Sequence, residues 1–327
     1  MTNLKNKIFN IHSEKEFSDL ALEIFHYQYL NNPVYKKYTD YLNINIRKIN
    51  KITQIPFLPI TFFKTHKILT GNYHTTFYFQ SSGTSGQNRS KHFVANENIY
   101  IKSFIKTFNY FYGDFRDFCF LALLPSYLEQ QHSSLVYMFN YFIKNTKCKE
   151  SAFFLNDFPK LAKILDTLEA KGNKTILFGV SYALMDFAQY YNKSLKNTIV
   201  METGGMKGKR EEQTKEKLHA FLEKYFQTSI HSEYGMTELL SQSYSQHNRL
   251  FKTPPWKKIL IRDRYDPFSF LPDNKIGGIN IIDLANIFSC SFIETQDLGK
   301  QKTDGSFELH GRYDIADIRG CNLLIEP

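Results

Sequence analysis

The sequence predicts an α/β fold, a mostly parallel sheet flanked by helices with a small β region at the end of the chain, and three observations support it. Between residues 97 and 234, short apolar runs of strand length alternate with segments whose apolar positions recur at helical spacing, the pattern of β-α-β units. The runs at 118–124 and 174–180 are almost continuously apolar, as strands buried on both faces are. Past Trp256 helical periodicity vanishes, leaving strand-like runs at 257–261, 278–283, 289–293 and 306–309.

Taken in order, Ser13 and Glu16 form a capping-box pattern that opens a helix with Phe17, Leu20, Ala21, Ile24 and Phe25 on one face. Residues 55–63 are a proline-punctuated apolar segment, and 75–80 read as a strand running into a Ser/Gly-rich loop. Helices are predicted at 97–112, at 158–170 (closed by Gly172), at 181–191 and at 210–226, the last with the stripe Leu218, Phe221, Leu222, Tyr225. Strands at 198–202 and 228–234 complete the alternation. No internal repeat or low-complexity linker is present.

With 327 residues the chain can bury a large core. Lys and Arg number 41 against 32 Asp and Glu, a formal charge of +9 that suits phosphate or carboxylate ligands. The cations are scattered, which disfavours a nucleic-acid surface; the densest run, 207–210, is followed by Glu211 and Glu212 and reads equally as a solvated helix start. Four cysteines, Cys119, Cys148, Cys290 and Cys321, show no Cys-x-x-Cys pair, so no structural metal is expected. Cys119 and Cys290 lie in apolar runs and read as buried structural thiols. Residues 1–15 lack an apolar signal core and the longest uncharged apolar run ends at Pro125, so a cytoplasmic protein without a transmembrane segment is expected. The 30 Phe and 21 Tyr stand in for Leu and Val in the core, and some could line an acyl tunnel.

The most informative segment is Ser81-Ser82-Gly83-Thr84-Ser85-Gly86-Gln87-Asn88-Arg89-Ser90-Lys91. Glycine lets backbone N–H groups approach a ligand closely, Ser and Thr hydroxyls add donors, and Arg89 and Lys91 supply positive charge, which together suit a polyphosphate. Neither Walker A nor Gly-x-Gly-x-x-Gly is present, and a solvated turn is the alternative. Ligand sites in such sheets lie at the carboxyl ends of strands, where Ser81, Glu202 and Tyr234 fall.

Two further strings make the chain similar to adenylate-forming enzymes, which make acyl-AMP from a carboxylate and ATP. Tyr234-Gly235-Met236-Thr237-Glu238 resembles their Tyr-Gly-x-Thr-Glu motif, and Thr295-Gln296-Asp297 followed by Gly311-Arg312-Tyr313-Asp314 resembles their ribose aspartate and hinge. Within that superfamily, the Ser81 to Gly86 string running into Arg89-Ser90-Lys91-His92, and Glu202-Thr203-Gly204-Gly205-Met206-Lys207-Gly208, resemble the acyl-protein synthetase (LuxE) family of fatty-acid reductase complexes, related to phenylacetate-CoA-ligase-like enzymes. The four motifs agree in order and cover most of the chain.

The resemblance implies a single adenylate-forming large-domain fold over 1–327, with a helical entry region at 1–75, a nucleotide-binding core at 76–255 and a β sub-lobe with truncated hinge at 256–327, the mobile C-terminal domain and its lysine being absent. It implies that Ser81, Ser82, Gly83, Thr84, Ser85 and Gly86 hold the β- and γ-phosphates of ATP, with Lys91 as counter-charge. Gly204 and Gly205 would let backbone lie against adenine while Tyr234 stacks on it, a hairpin-like Gly-Gly turn and a core tyrosine being the alternative; Gly235 would belong to the same nucleotide site, and Thr237 would donate to the α-phosphate. Glu238 would coordinate Mg²⁺, with a helix N-terminal acid as the alternative. Asp297 would accept from the ribose hydroxyls and Arg312 would clamp the nucleotide, the alternative being surface residues at a strand end. Cys321 would carry the acyl group, a buried structural cysteine being the alternative. His132 could orient a substrate but reads equally as an ordinary histidine.

The implied function is an ATP-dependent acyl-protein synthetase that activates a carboxylic acid, fatty in this family, and passes it to Cys321 or a partner thiol, with an acyl reductase or acyl carrier as partner. The rivals are an acyl- or aryl-CoA ligase and a non-catalytic scaffold subunit.

Overall fold

The structure is a computed structural model that describes residues 2–82, 89–124, 132–204 and 214–312. The entry region is helical, with α1 (Thr2–Ile8), α2 (Glu14–Asn31) and α3 (Pro33–Tyr41). The Ser13 hydroxyl accepts from the Glu16 N–H at 3.2 Å, and the Glu16 carboxylate reaches back to the His12 N–H at 2.8 Å, a capping box displaced by one residue. The predicted apolar face of α2 is buried. Asn32 ends α2 and caps α3 through the Tyr35 N–H, so the chain turns with no intervening loop.

After β1 (Leu58–Pro59) and α4 (Phe62–Thr65), the strands β2 (Tyr78–Gln80) and β3 (Lys91–Phe93) pair antiparallel as a separate hairpin, the Ser/Gly-rich segment lying between them in sequence. The sequence indicated the incoming strand but not the returning one, because three residues are too few to show alternation. Then follow α5 (Glu97–Tyr112), β4 (Cys119–Leu123), α6 (Ser134–Asn145), β5 (Ala152–Phe154), α7 (Phe158–Ala170), β6 (Thr175–Val180), α8 (Ser181–Tyr191), β7 (Thr198–Thr203), α9 (Lys215–Phe226) and β8 (Ile230–Tyr234). The strands β5, β4, β6, β7 and β8 lie side by side and parallel, as the alternation predicted.

The remaining strands, β9 (Ser243–Ser245), β10 (Phe251–Lys252), β11 (Lys257–Arg262), β12 (Ile276–Asp283), β13 (Phe292–Gln301) and β14 (Phe307–Arg312), add antiparallel to the β8 edge. Among the described residues they form one hydrogen-bonded sheet in the order β11-β12-β13-β14-β10-β9-β8-β7-β6-β4-β5, with β1 pairing β13 in parallel. The β region that the sequence predicted past Trp256 is therefore joined edge to edge with the parallel core. Its strand expected at 289–293 starts at Phe292 and runs to Gln301, which places Asp297 mid-strand.

Aromatic rings fill the core. Phe120 of β4 stacks on Phe142 of α6 at 5.0 Å, and Phe139 of α6 stacks on Phe178 of β6 at 3.8 Å. Helix α6 is not predicted from the sequence, although its buried Met138, Phe139 and Phe142 recur at helical spacing. Cys119 is buried as expected, yet it is no free thiol: a disulfide joins it to Cys148 across a Cα separation of 5.1 Å, the loop after α6 returning beside the start of β4. Cys290 is free and buried. Among the described residues no helix is long and apolar enough to cross a membrane.

Candidate active site

The carboxyl end of β8 meets the middle of β13 and the end of β14, and Tyr234, Asp297 and Arg312 come together there. Tyr234, the last residue of β8, donates its hydroxyl to Asp297 Oδ2 at 2.7 Å. Asp297 and Arg312 are register partners on β13 and β14, and Arg312 Nε donates to Asp297 Oδ1 at 2.9 Å. Each carboxylate oxygen keeps a lone pair for a further donor. The Tyr234 ring is 8% exposed, held by the edges of Phe251 and Phe307, with the Lys257 ammonium 5.4 Å from its centroid.

Glu238 lies inside the same electrostatic field. Burial pushes its carboxyl pKa up, opposed by a hydrogen bond from the Ser90 hydroxyl and by Arg312, while Asp297 adds to the rise. The segment carrying Glu238 is fixed from behind. Asn286 Nδ2 donates to the Glu238 carbonyl at 2.8 Å, and Asp283 accepts from the Leu240 and Ser241 N–H groups, both at 2.9 Å.

The hairpin is pinned onto this motif by His92, to which the sequence alone assigns no role. His92 Nδ1 is 2.9 Å from the Thr237 carbonyl, which can only accept, so the ring carries its proton on Nδ1. Burial lowers its pKa to about 4, the Thr237 carbonyl opposing, and the ring is neutral at pH 7. Strand alternation was the available signal: it turns His92 inward and Lys91 outward. At the hairpin foot the Ser81 Oγ accepts from the Ser90 N–H at 3.0 Å and the Ser81 N–H donates to the Ser90 carbonyl at 3.1 Å, leaving the Ser81 hydroxyl proton for a ligand.

Lys91 is exposed, with its ammonium 5.1 Å from the Tyr78 ring centroid. His132 stacks on the same ring at 4.4 Å. Neither joins the Asp297 cluster. Ser82 is exposed beside the loop, and Gly83, Thr84, Ser85, Gly86, Gly205 and Cys321 lie outside the described residues.

Two glycines are required by geometry. Gly204 has φ +69°, a left-handed turn at the end of β7, and its carbonyl accepts from the Ser181 hydroxyl at 2.8 Å. At Gly235 a Cβ would stand 2.4 Å from Glu233 Oε1. That carboxylate accepts from the Thr203 hydroxyl at 2.5 Å, and burial raises its pKa to about 7, with Thr203 and Lys257 opposing. Glu202, on the neighbouring strand, is buried yet held down at about 2: burial raises its pKa, and Lys215, His219 and Ser232 more than offset that. Lys257 is also fully buried, lowered to about 8 by burial against the pull of Asp283 and Glu233, and it donates to the Ser241 carbonyl at 2.9 Å. Glu233, Asp283 and Lys257 are not identified as site residues from the sequence, where Glu233 follows His231 and Ser232, Lys257 precedes Lys258 and Asp283 ends an apolar run, contexts that carry no motif.

Among solved structures the fold is similar to ATP-bound MatB from Rhodopseudomonas palustris (TM-score 0.53, 18% identity over 72% of this chain and 47% of that one). It is also similar to 2-hydroxyisobutyryl-CoA ligase in complex with 2-HIB-AMP and CoA (TM-score 0.64, 11% identity, 93% of this chain and 72% of that one). A third is the luciferase-like enzyme of the nonluminescent Zophobas morio mealworm (TM-score 0.50, 15% identity, 72% and 57%). The chain thus spans about half the length of MatB. At these identities the likeness establishes the adenylate-forming fold. No protein of curated function matches the sequence. The family model for acyl-protein synthetase, LuxE, matches residues 7–326, and the chain belongs to that family.

Proposed function

We propose that this protein activates a carboxylic acid, fatty in the family's manner, with ATP: a carboxylate oxygen attacks the α-phosphorus, pyrophosphate leaves, and the resulting acyl-AMP gives its acyl group to a thiol with release of AMP. The thiol is that of Cys321 or of a partner such as an acyl reductase or carrier. The observation that carries this reading is the Tyr234–Asp297–Arg312 hydrogen-bonded chain beside the buried Glu238, at the foot of the hairpin whose two strands flank the Ser/Gly-rich segment in sequence.

The division of labour follows from the groups present. Asp297, oriented by Tyr234 and Arg312, accepts from the ribose hydroxyls. The Ser81 hydroxyl and the loop donors hold the phosphates, with Lys91 as counter-charge, and Thr237 donates to the α-phosphate. Glu238 fits a hard cation, being a desolvated carboxylate whose raised pKa signals too little positive charge nearby. Mg²⁺ held there would neutralise charge on the departing pyrophosphate. The adenylation step needs no general base, since the attacking carboxylate is already ionised and positioning and charge stabilisation lower the barrier; in the second step the thiol attacks as its thiolate, having given its proton to solvent, and AMP leaves.

The test is carboxylate-dependent ATP–pyrophosphate exchange over fatty and aryl acids, with mass spectrometry for acyl label on wild type and Cys321→Ser. Exchange should fall about 10²-fold or more in Asp297→Ala and Glu238→Gln, and a thioester should be lost in Cys321→Ser. Full exchange by Glu238→Gln sinks the magnesium assignment. Exchange without protein label moves the acceptor to coenzyme A or a partner, and no exchange with any acid leaves the scaffold reading.

A further inference from the structure

The sequence between Asp40 and Glu97 contains no Asp or Glu, while seven Lys and Arg fall between Arg47 and Lys91, most of the formal charge of +9. The signal is the missing carboxylates, since the cations themselves are spread out. The fold gathers several of them on one side of the β2–β3 hairpin. Lys67 Nζ lies 4.7 Å from the Phe93 ring centroid and donates to the Thr75 carbonyl at 3.1 Å. Lys91 Nζ lies 5.1 Å from the Tyr78 centroid, and the Tyr78 and Phe93 rings are 5.5 Å apart. His132 stacks on Tyr78, and Lys64 is exposed on α4, three residues before Lys67. Among the described residues no carboxylate pairs with Lys64, Lys67 or Lys91. Rings that hold the lysine stems reduce the rotamer freedom lost when an anion docks, and a segment from 41 to 96 without Asp or Glu adds positive charge with no carboxylate of its own to offset it.

We propose that this hairpin face, with Lys64 and Lys67 at its edge, docks an acidic protein surface that presents the acyl-acceptor thiol beside the phosphate loop. This rests on the acyl-transfer reading above. Charge complementarity selects the partner's sign, and the arrangement of the rings selects its class. Single-stranded nucleic acid stacks its bases on free aromatic faces, whereas Tyr78 is already stacked on His132 and Phe93 lies under Lys67. A membrane surface would engage protruding apolar side chains, and among the described residues no large apolar side chain between 42 and 96 is exposed.

The experiment measures acylation of two synthetic peptides ending in cysteine, one oligoglutamate and one oligoserine, by wild type, Lys64→Glu/Lys67→Glu and the control Lys163→Glu on the exposed side of α7. At low salt the wild type should acylate the oligoglutamate peptide about tenfold faster than the neutral one. High salt should erase the difference, as should the double variant, while Lys163→Glu keeps it and ATP–pyrophosphate exchange is equal in all three proteins. Equal rates on the two peptides, an advantage that survives in the double variant, or exchange with neither peptide acylated would overturn the proposal. If the wild type shows no exchange, it is the adenylation reading that fails. Binding of fluorescein-labelled oligoglutamate then decides the docking face, which stands only if that binding is salt-sensitive and falls at least fivefold in the double variant. Displacement of that peptide by an RNA oligomer at lower concentration would overturn the partner class.

Discussion

Glu202 and Glu233 sit on adjacent strands, both buried, and titrate in opposite directions because strand alternation sends them to opposite faces of the sheet. Glu202 meets Lys215 and His219 of α9, so its ionised form is paired; Glu233 meets the Thr203 hydroxyl and buried tyrosines, so its proton is retained to about pH 7. A carboxyl whose folded pKa lies above its unfolded value contributes stability below the unfolded pKa and loses it as pH rises through the folded one. The loss belongs between about pH 4.5 and pH 7 and is on the order of 3 kcal/mol. Urea unfolding of wild type and Glu233→Gln across that window should therefore diverge, the wild type weakening relative to the variant as pH rises; parallel profiles would remove Glu233 as the source. Beside it, Gly235→Ala forces a methyl against a carboxylate already held by Thr203. A cost of about 1–3 kcal/mol in unfolding free energy is expected, with pyrophosphate exchange falling because the strand end that carries Tyr234 shifts. A variant of wild-type stability and activity would show that the carboxylate swings away freely.

At the scale of elements, the entry helices are tied to the loop between β12 and β13 by two buried amides, Gln28 and Asn32, the latter donating to the Ser289 carbonyl at 2.9 Å. Gln28 of α2 donates to the carbonyls of Asn286, Ile287 and Ser289 at 3.0, 3.1 and 3.3 Å, and its oxygen accepts from the Ser291 N–H at 2.9 Å. That loop also carries Asn286, which holds the Glu238 carbonyl, so α2 supports the Glu238 segment at one remove. Gln28→Ala leaves buried backbone groups without partners, and a loss of about 2–4 kcal/mol is expected by chemical unfolding. Exchange activity should decline more than in Ser13→Ala, which removes only the α2 cap at about 1 kcal/mol. Equal effects of the two substitutions on activity would break the proposed link from α2 to Glu238.

For the whole molecule, the Cys119–Cys148 bond closes a 29-residue separation that contains α6, and thereby fixes the helix that covers β4 and β6. In the chain-entropy account a loop of that length stabilises the folded state by about 3–4 kcal/mol. Reduction and Cys148→Ser should lower the urea midpoint to the same degree, and an unchanged midpoint would show that the reduced chain packs α6 as well. The two halves of the sheet meet between β8 and β9, so the site draws Tyr234 from the parallel half and Asp297 and Arg312 from the antiparallel half. Loosening either half should therefore weaken nucleotide binding.

The sequence by itself determined the α/β alternation from residue 97 to 234, the strand ends at which Glu202 and Tyr234 lie, and the family to which the motifs point, because period and local spacing survive in one dimension. It also named Tyr234, Glu238, Asp297 and Arg312, whose motifs are contiguous strings. Tertiary structure alone decided that β9 to β14 extend the same sheet, that Cys119 bonds Cys148, that Lys91 turns toward Tyr78, and that His92, Glu233, Asp283 and Lys257 support the site. Each of these depends on partners far apart in the chain, and burial, pairing and pKa are properties of such neighbourhoods that no local pattern encodes.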